Sequence, residues 1–488
     1  MSPPKSAGDV WNAYRTTFQR VVPKSGTGVG DQYPNKQYWE LVHNANTGLK
    51  YTVKVKGPQP DEGYPLFIGL HGGGGNNSPG DKYWNDHYWA DMSDYYQYTI
   101  DNYLTSGVYI SARGVSDDWK LHFEQETYLL FQGLIRNLLF KSPLEAGTTQ
   151  LNPKADSFIN PNKTYLLGFS AGGDGVYRLA TVLSDRFAAA NMSGGHPGSA
   201  VLRNLANLPI ALQVGQWDGD EIPIPLWKEA ERNQKTVAVS NSLETLAGDS
   251  AYYRHDIFVH PTPFTPLAPW LQAGKDENDK PRSHNSWGND HLVNEDKPII
   301  KNWKEHQKWR VPGNNDAIIV NANSCAVTWV GKFDRQPYPN FVIWDFSPRL
   351  LEPEPLLPLA WGRHRFSYWL AVEQSYKEAN SIIRATYNKD NNEVWIEQTP
   401  CKVVILLNQD MVNLANDVKV FYGPQQQKIQ LNSVRVTTSY EVQKFTMEAR
   451  GDPKFIFSAT IVFDPTTLPF PTARDGGSQI FTAAVPRL

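Results

Sequence analysis

Cysteine is nearly absent: 488 residues contain two, Cys325 and Cys401. Two are too few for a disulfide framework and allow at most one bridge, so buried free thiols are the expected state. Long apolar runs are also missing. No segment approaches the roughly 18 apolar residues of a membrane span, and Met1-Ser2-Pro3-Pro4-Lys5-Ser6-Ala7-Gly8-Asp9 lacks the apolar centre of a signal peptide. The expectation is a cytoplasmic protein with no membrane partner, although a mature secreted form would look the same at this end. No Lys/Arg-rich run stands out and the net charge is -3, which excludes an evident nucleic-acid footprint. The eleven histidines form no HExxH motif and no Cys/His cluster, so neither a metal nor an organic cofactor is expected. There is no internal repeat, and no feature sets an oligomeric state.

What is present is enough apolar material, 40% of residues, for real cores in a chain long enough for two or at most three domains. Tyr38 to Val42 and Leu49 to Val55 read as a hairpin around Asn46-Thr47-Gly48. Strand candidates follow at Leu66 to Leu70, Gly107 to Ala112, Tyr165 to Leu167, Ala188 to Met192, Ile210 to Val214 and Ile257 to His260, with helical stretches between them. The clearest helical pattern runs from Trp119 to Phe140. Strands interleaved with helices predict an α/β fold, a doubly wound and mainly parallel sheet covered on both faces. Past residue 312 short β-rich segments follow one another: Phe341 to Trp344, Phe366 to Ala371, Ile382 to Tyr387, Val394 to Glu397, Val403 to Leu407, Val418 to Tyr422 and Phe455 to Val462. They predict a smaller antiparallel β-sandwich with a structural or binding role. The expected division is a catalytic domain over 1–334, including the N-terminal hairpin, and a sandwich over 335–488.

Two glycine-rich turns carry the chemistry. Ser170 lies in Gly168-Phe169-Ser170-Ala171-Gly172, after the apolar run Thr164-Tyr165-Leu166-Leu167 and before a helical stretch. That is the strand, sharp turn and helix of a nucleophile elbow. A glycine-flanked serine alone is more often a plain turn residue. Upstream, Pro65-Leu66-Phe67-Ile68-Gly69-Leu70 runs into His71-Gly72-Gly73-Gly74-Gly75, a loop whose backbone N–H groups are free to face a developing oxyanion. The two together predict a serine hydrolase, with Gly72, Gly73 and Ala171 as oxyanion donors and His71 stabilising the loop.

A serine hydroxyl needs a histidine to take its proton and a carboxylate to orient that histidine. With an elbow of this kind they follow in the order Ser, Asp, His. After Ile210 to Val214 comes Gly215-Gln216-Trp217-Asp218-Gly219-Asp220, which makes Asp218 the expected acid, with Asp220 in reserve. His284, in Ser283-His284-Asn285-Ser286-Trp287, is favoured as the base over His260 at a strand end and over His291. His196, Trp217 and Trp287 are candidate substrate-lining residues. Asp81 to Tyr98 is dense in aromatics and reads more as packing than as a pocket.

The chain resembles the α/β-hydrolase superfamily, and within it the esterases and peptidases related to poly(hydroxyalkanoate) depolymerases, dienelactone hydrolases and prolyl oligopeptidases. The resemblance rests on His71-Gly72-Gly73-Gly74, Arg113 with Trp119, Gly168 to Gly175, Gly194-Gly195-His196-Pro197 and Gly215 to Gly219, over roughly residues 60 to 300. The later segment, with Arg335-Gln336-Pro337-Tyr338-Pro339 and Leu407 to Leu414, looks like the β-sandwich tail of some members. It implies hydrolysis of a small ester through an acyl-enzyme. A peptidase of the prolyl-oligopeptidase type, an acyltransferase, a lyase or cyclase, and a carbohydrate-binding protein are the alternatives.

Overall fold

The computed structural model describes residues 4–17, 23–29, 33–42, 48–73, 86, 89, 92, 104–115, 122, 125–140, 155, 157–198, 200–215, 232–249, 253–260, 309–310, 317–318, 326–346, 365–372, 381–467 and 472–473. The chain forms two compact units. One comprises Val22–Thr181 and Arg186–Arg335, and the other Met1–Val21, Val182–Asp185 and Gln336–Leu488. The N-terminal helix α1 (Ala7–Thr17) therefore groups with the C-terminal unit, whereas the sequence reading left it with the catalytic domain.

In the first unit the described residues form a sheet of nine strands: β1 (Lys24–Val29), β2 (Tyr33–Val42), β3 (Gly48–Lys56), β4 (Tyr64–Leu70), β5 (Gly107–Ala112), β6 (Ile159–Phe169), β7 (Ala189–Ser193), β8 (Ile210–Gly215) and β9 (His255–His260). Their order is β1-β2-β3-β5-β4-β6-β7-β8-β9. β1, β2 and β3 pair antiparallel, β3 joins β5 antiparallel, and every pair from β5 to β9 is parallel. This is the mainly parallel sheet of an α/β-hydrolase fold. Its central strands are unbroken apolar runs because both faces are covered: in β4, Leu66, Phe67, Ile68 and Leu70 are all buried.

Among the described residues, this unit also holds helices α2 (Gln125–Phe140), α3 (Ala171–Val182), α4 (Arg232–Asp249) and the short α5 (Ala326–Val330), with the two-stranded β10 (Trp309–Arg310) and β11 (Ala317–Ile318). α2 buries Leu130, Phe131, Leu134 and Leu138, the face that its periodicity marked. α5 adds Val327 and Trp329 to a cluster with Phe67, Tyr109, Tyr165 and Leu167. From the aromatic segment, Trp89 is buried, donates its indole N–H to the Ser111 carbonyl at 3.1 Å and packs edge-on against Tyr38. No helix among the described residues is long and apolar enough to cross a membrane.

The second unit holds two five-stranded sheets. One has β12 (Phe341–Asp345), β15 (Ile382–Asn388), β16 (Glu393–Gln398), β18 (Val418–Tyr422) and β19 (Ile429–Val434). The other has β13 (Phe366–Ser367), β14 (Leu370–Val372), β17 (Val403–Leu407), β20 (Ala459–Phe463) and β21 (Thr472–Ala473). One core fills the space between them, with Trp344, Ile383, Val394 and Val420 facing Leu370, Ile405, Leu407 and Ile461. Three features differ from the sequence reading. β16 and β18 pair parallel, because the chain crosses to the other sheet for β17 and returns in the same direction. The segment from Phe366 to Ala371 is a hairpin turning at Tyr368, which has a φ of 52°. The strand expected from Phe455 begins only at Ala459, since a 3-10 turn at Pro453–Phe455 comes first and buries Phe455 in the core. Helix α6 (Tyr440–Arg450) starts on the Ser439 hydroxyl, which accepts from the Glu441 N–H, and stops at Gly451 with a φ of 57°. Cys401 is a free, half-buried thiol whose pKa burial pushes up to about 11; Cys325 lies outside the described residues.

Asp185, which follows α3 by a few residues, is buried in this second unit. Its Oδ2 accepts the Tyr368 N–H at 3.0 Å and pairs with the Arg450 guanidinium, and the two side chains are 1% and 2% exposed. The Arg450 guanidinium also lies 4.2 Å from the Phe455 ring centroid. Removing one charge from a pair this deep strands the other. Asp185→Asn is expected to lower unfolding free energy by about 3 to 5 kcal/mol, against about 0 to 1 for an exposed pair. Urea unfolding of the full chain measures it, and a loss in the lower range would show that water reaches the pair.

Candidate active site

The chain passes from β4 to β5 on one side of the sheet and from β6 to β7 on the other, so the order reverses between β4 and β6. Ligands in open α/β sheets bind beyond the carboxyl ends of the strands at such a reversal. The two glycine-rich turns lie there side by side, since Leu70 at the end of β4 is in register with Gly168 near the end of β6.

Ser170 has a φ of 58°, a left-handed conformation that a side chain makes costly. The turn is held from both sides. The Ser170 N–H donates to the Ser193 carbonyl at 2.9 Å, and the Ser170 carbonyl accepts the Asp174 N–H at 3.1 Å as α3 begins. Glycine is required where two backbones touch: a Cβ on Gly172 would lie 2.1 Å from the Leu70 carbonyl oxygen. The glycine-rich loop after β4 closes on Ser170 in the same way. A Cβ on Gly72 would lie 2.9 Å from the Ser170 Cβ and 3.6 Å from its Oγ. Ser170, Ala171, Gly72 and Gly73 are therefore together at one strand edge.

Two buried histidines stand behind that loop. His71 Nδ1 lies 2.7 Å from the Gly72 carbonyl, which can only accept, so Nδ1 carries the proton; Nε2 accepts the Gly114 N–H at 2.8 Å. His122 donates from Nε2 to the His71 carbonyl at 3.2 Å, and the rings meet edge to face at 5.0 Å. Its Nδ1 is buried without a hydrogen-bond partner. Both imidazoles are neutral. Burial holds His71 well below the usual histidine pKa; a proton on His122 would lower it further, and Arg113 adds to it, against the bond to the Gly72 carbonyl. Burial takes His122 down to about 4, against the hydrogen bond to His71 and with the help of Arg113. Arg113 is itself buried and fixed by Asp86, Nε to Oδ1 at 2.6 Å.

His196, a candidate lining residue, is half-buried beside the elbow helix. Its backbone N–H donates to the Asp174 carboxylate, and its Nδ1 lies 3.4 Å from Lys235 Nζ. His260 ends β9 in register with Gly215, at the same strand edge. Asp218, Asp220, Trp217, His284, Trp287 and His291 lie outside the described residues. Among the described residues, no group of three or more His, Cys, Asp or Glu side chains is placed to hold a metal ion. In the sequence His122 is not singled out, and Asp174, within the Gly168–Gly175 motif, is given no role of its own. Asp174 carried a usable signal, an acidic residue in the first turn of the elbow helix; His122 carried none.

No family model matches the sequence, and no curated protein matches it. Solved structures do. A thermostable esterase matches at a TM-score of 0.32 and 17% identity, over 53% of this chain and 61% of that one. The siderophore hydrolase EstA from Aspergillus nidulans matches at 0.33 and 9%, over 49% of this chain and 91% of that one. A ferulic acid esterase matches at 0.28 and 12%, over 49% and 90%. This chain thus spans less than two thirds of the thermostable esterase. At these scores the likeness adds no weight, and the fold rests on the strand order and direction.

The buried histidines set a pH dependence. An unfolded histidine titrates near about 6.5. Above that value both states are neutral; below it the unfolded chain binds protons that native His71 and His122 refuse, so stability falls as pH falls. For His122 the window is from about 6.5 to about 4. Comparing wild type with His122→Gln by urea unfolding isolates that histidine. The difference in unfolding free energy is expected to change by about 1.4 kcal/mol per pH unit across the window. A difference independent of pH would show that native His122 takes its proton as readily as the unfolded chain does.

Proposed function

We propose that this protein is a serine hydrolase that cleaves an ester of a small organic substrate through an acyl-enzyme. The observation that carries the reading is the left-handed conformation of Ser170 at the end of β6, with Gly72 of the β4 loop against it. A strained turn that exposes a hydroxyl beside backbone donors is an expensive arrangement for a structural serine and a useful one for a nucleophile. On this reading Ser170 attacks the acyl carbonyl, and the N–H groups of Ala171 and of Gly72 or Gly73 hold the oxyanion. His284 takes the Ser170 proton and returns it to the leaving alcohol. Asp218 orients His284. Water, activated by the same histidine, then releases the acyl group.

A fluorophosphonate is expected to label wild type on Ser170 and to leave Ser170→Ala unlabelled, and that variant should lose ester turnover while keeping its fold. His284→Ala should cost about as much as Ser170→Ala, because members of a triad act as one unit, whereas His260→Ala should be mild. Wild-type turnover by Ser170→Ala would end the serine reading. A severe loss confined to His260→Ala would move the base to the end of β9.

A further inference from the structure

We propose that His122 is a positioning residue that sets the direction of an oxyanion donor, the Gly72 N–H, by holding the other end of the same peptide group. The inference rests on the hydrolase reading and adds a residue to its machinery. In a trans peptide the carbonyl and the following N–H lie in one plane and point in opposite directions. The His71 carbonyl and the Gly72 N–H belong to one such plane, and the Gly72 carbonyl and the Gly73 N–H to the next. Each carbonyl is gripped by an imidazole: His71 O by His122 Nε2 at 3.2 Å, and Gly72 O by His71 Nδ1 at 2.7 Å. The side of the planes away from the histidines is where the two N–H groups point.

The loop needs such a grip because consecutive glycines leave its peptide planes free to rotate. His122 can supply it because it is wedged in place. A Cβ on Gly175, one turn into α3, would lie 2.8 Å from the His122 Cβ, and the same glycine's Cβ would lie 3.0 Å from Leu70 Cδ1. The imidazole therefore spans the elbow helix and the oxyanion loop, and it ties the donor's direction to the element that carries the nucleophile. A mere core filler would not look like this. A buried Nδ1 with no partner is a cost that an apolar side chain of the same size would avoid. What the imidazole supplies in return, and an apolar side chain could not, is the Nε2–H bond to the His71 carbonyl.

The test compares His122→Gln, whose amide reaches the Nε2 position, with His122→Asn, which reaches only the Nδ1 position, and with His122→Leu. All are made in the full chain and assayed on a small chromogenic ester. Leu and Asn are expected to lower kcat about ten- to a hundredfold, short of the hundred- to thousandfold that loss of a whole donor costs, while KM barely moves. Gln is expected to restore most of the lost kcat. Imidazole nitrogen NMR of histidine-labelled wild type should find His122 protonated on Nε2 and bare on Nδ1. Equal losses in Gln and Leu, a loss carried by KM, an unimpaired Leu variant, or the opposite tautomer would each overturn the proposal. If the Leu variant does not fold, the Gln and Asn pair and the tautomer decide. Phosphonate labelling of wild type is the separate control: no label on Ser170 removes the hydrolase reading itself, whereas a label with Gln no better than Asn removes only the role of His122.

Discussion

The carbonyl of Leu70 occupies the place where a side chain on residue 172 would stand, and the site is arranged around that approach. Parallel strands β4 and β6 are neighbours, so the loops that leave them compete for the same space above the sheet edge. A glycine at 172 lets the elbow helix start directly beneath the carbonyl ends of Leu70 and His71. Only with that clearance can Gly72 come within van der Waals contact of Ser170. Spacing between Ser170 and the Gly72 loop is thus a matter of backbone thickness, which is more reproducible than a distance set by flexible side chains.

Behind the contact lies a cluster of polar groups: two buried neutral imidazoles, the buried Arg113 paired with the partly exposed Asp86, and the Gly114 amide that caps His71. Burial disfavours charge on either ring, and the nearby Arg113 reinforces it. A cation here would bring a proton to a nitrogen that faces either another N–H or no acceptor at all. Neutrality is therefore imposed by the partners as well as by the low dielectric.

The sheet and both glycine-rich turns were legible because their signals are local. A run such as Leu66 to Leu70 announces a strand covered on both faces, and small residues around Ser170 announce a turn too tight for anything larger. β1 was not legible: Lys-Ser-Gly-Thr-Gly-Val lies largely exposed at the sheet edge and shows no alternation. α6 carried a cap at each end, Ser439 and Gly451, but its helical period was lost among the alternating patterns of the strands around it. The role of His122 could not be read at all, since it depends on a carbonyl 51 residues away in sequence. The acid and base expected at Asp218 and His284 lie beyond the described residues, so the triad is legible only as an order along the chain.

The second unit has a further implication for how the chain is made. Its first helix is fastened near its start to one of its last: Lys5 and Gln443 exchange two hydrogen bonds, at 2.9 and 2.7 Å, across 438 residues. Trp11 and Val10, buried in the finished unit, are synthesised long before the helix α6 and the 3-10 turn at Pro453–Phe455 that α1 packs against. The nine-stranded sheet has all of its strands by residue 260 and can collapse during synthesis. The second unit has to wait for α1 to meet α6, a contact across 438 residues, and contacts of such sequence separation form slowly.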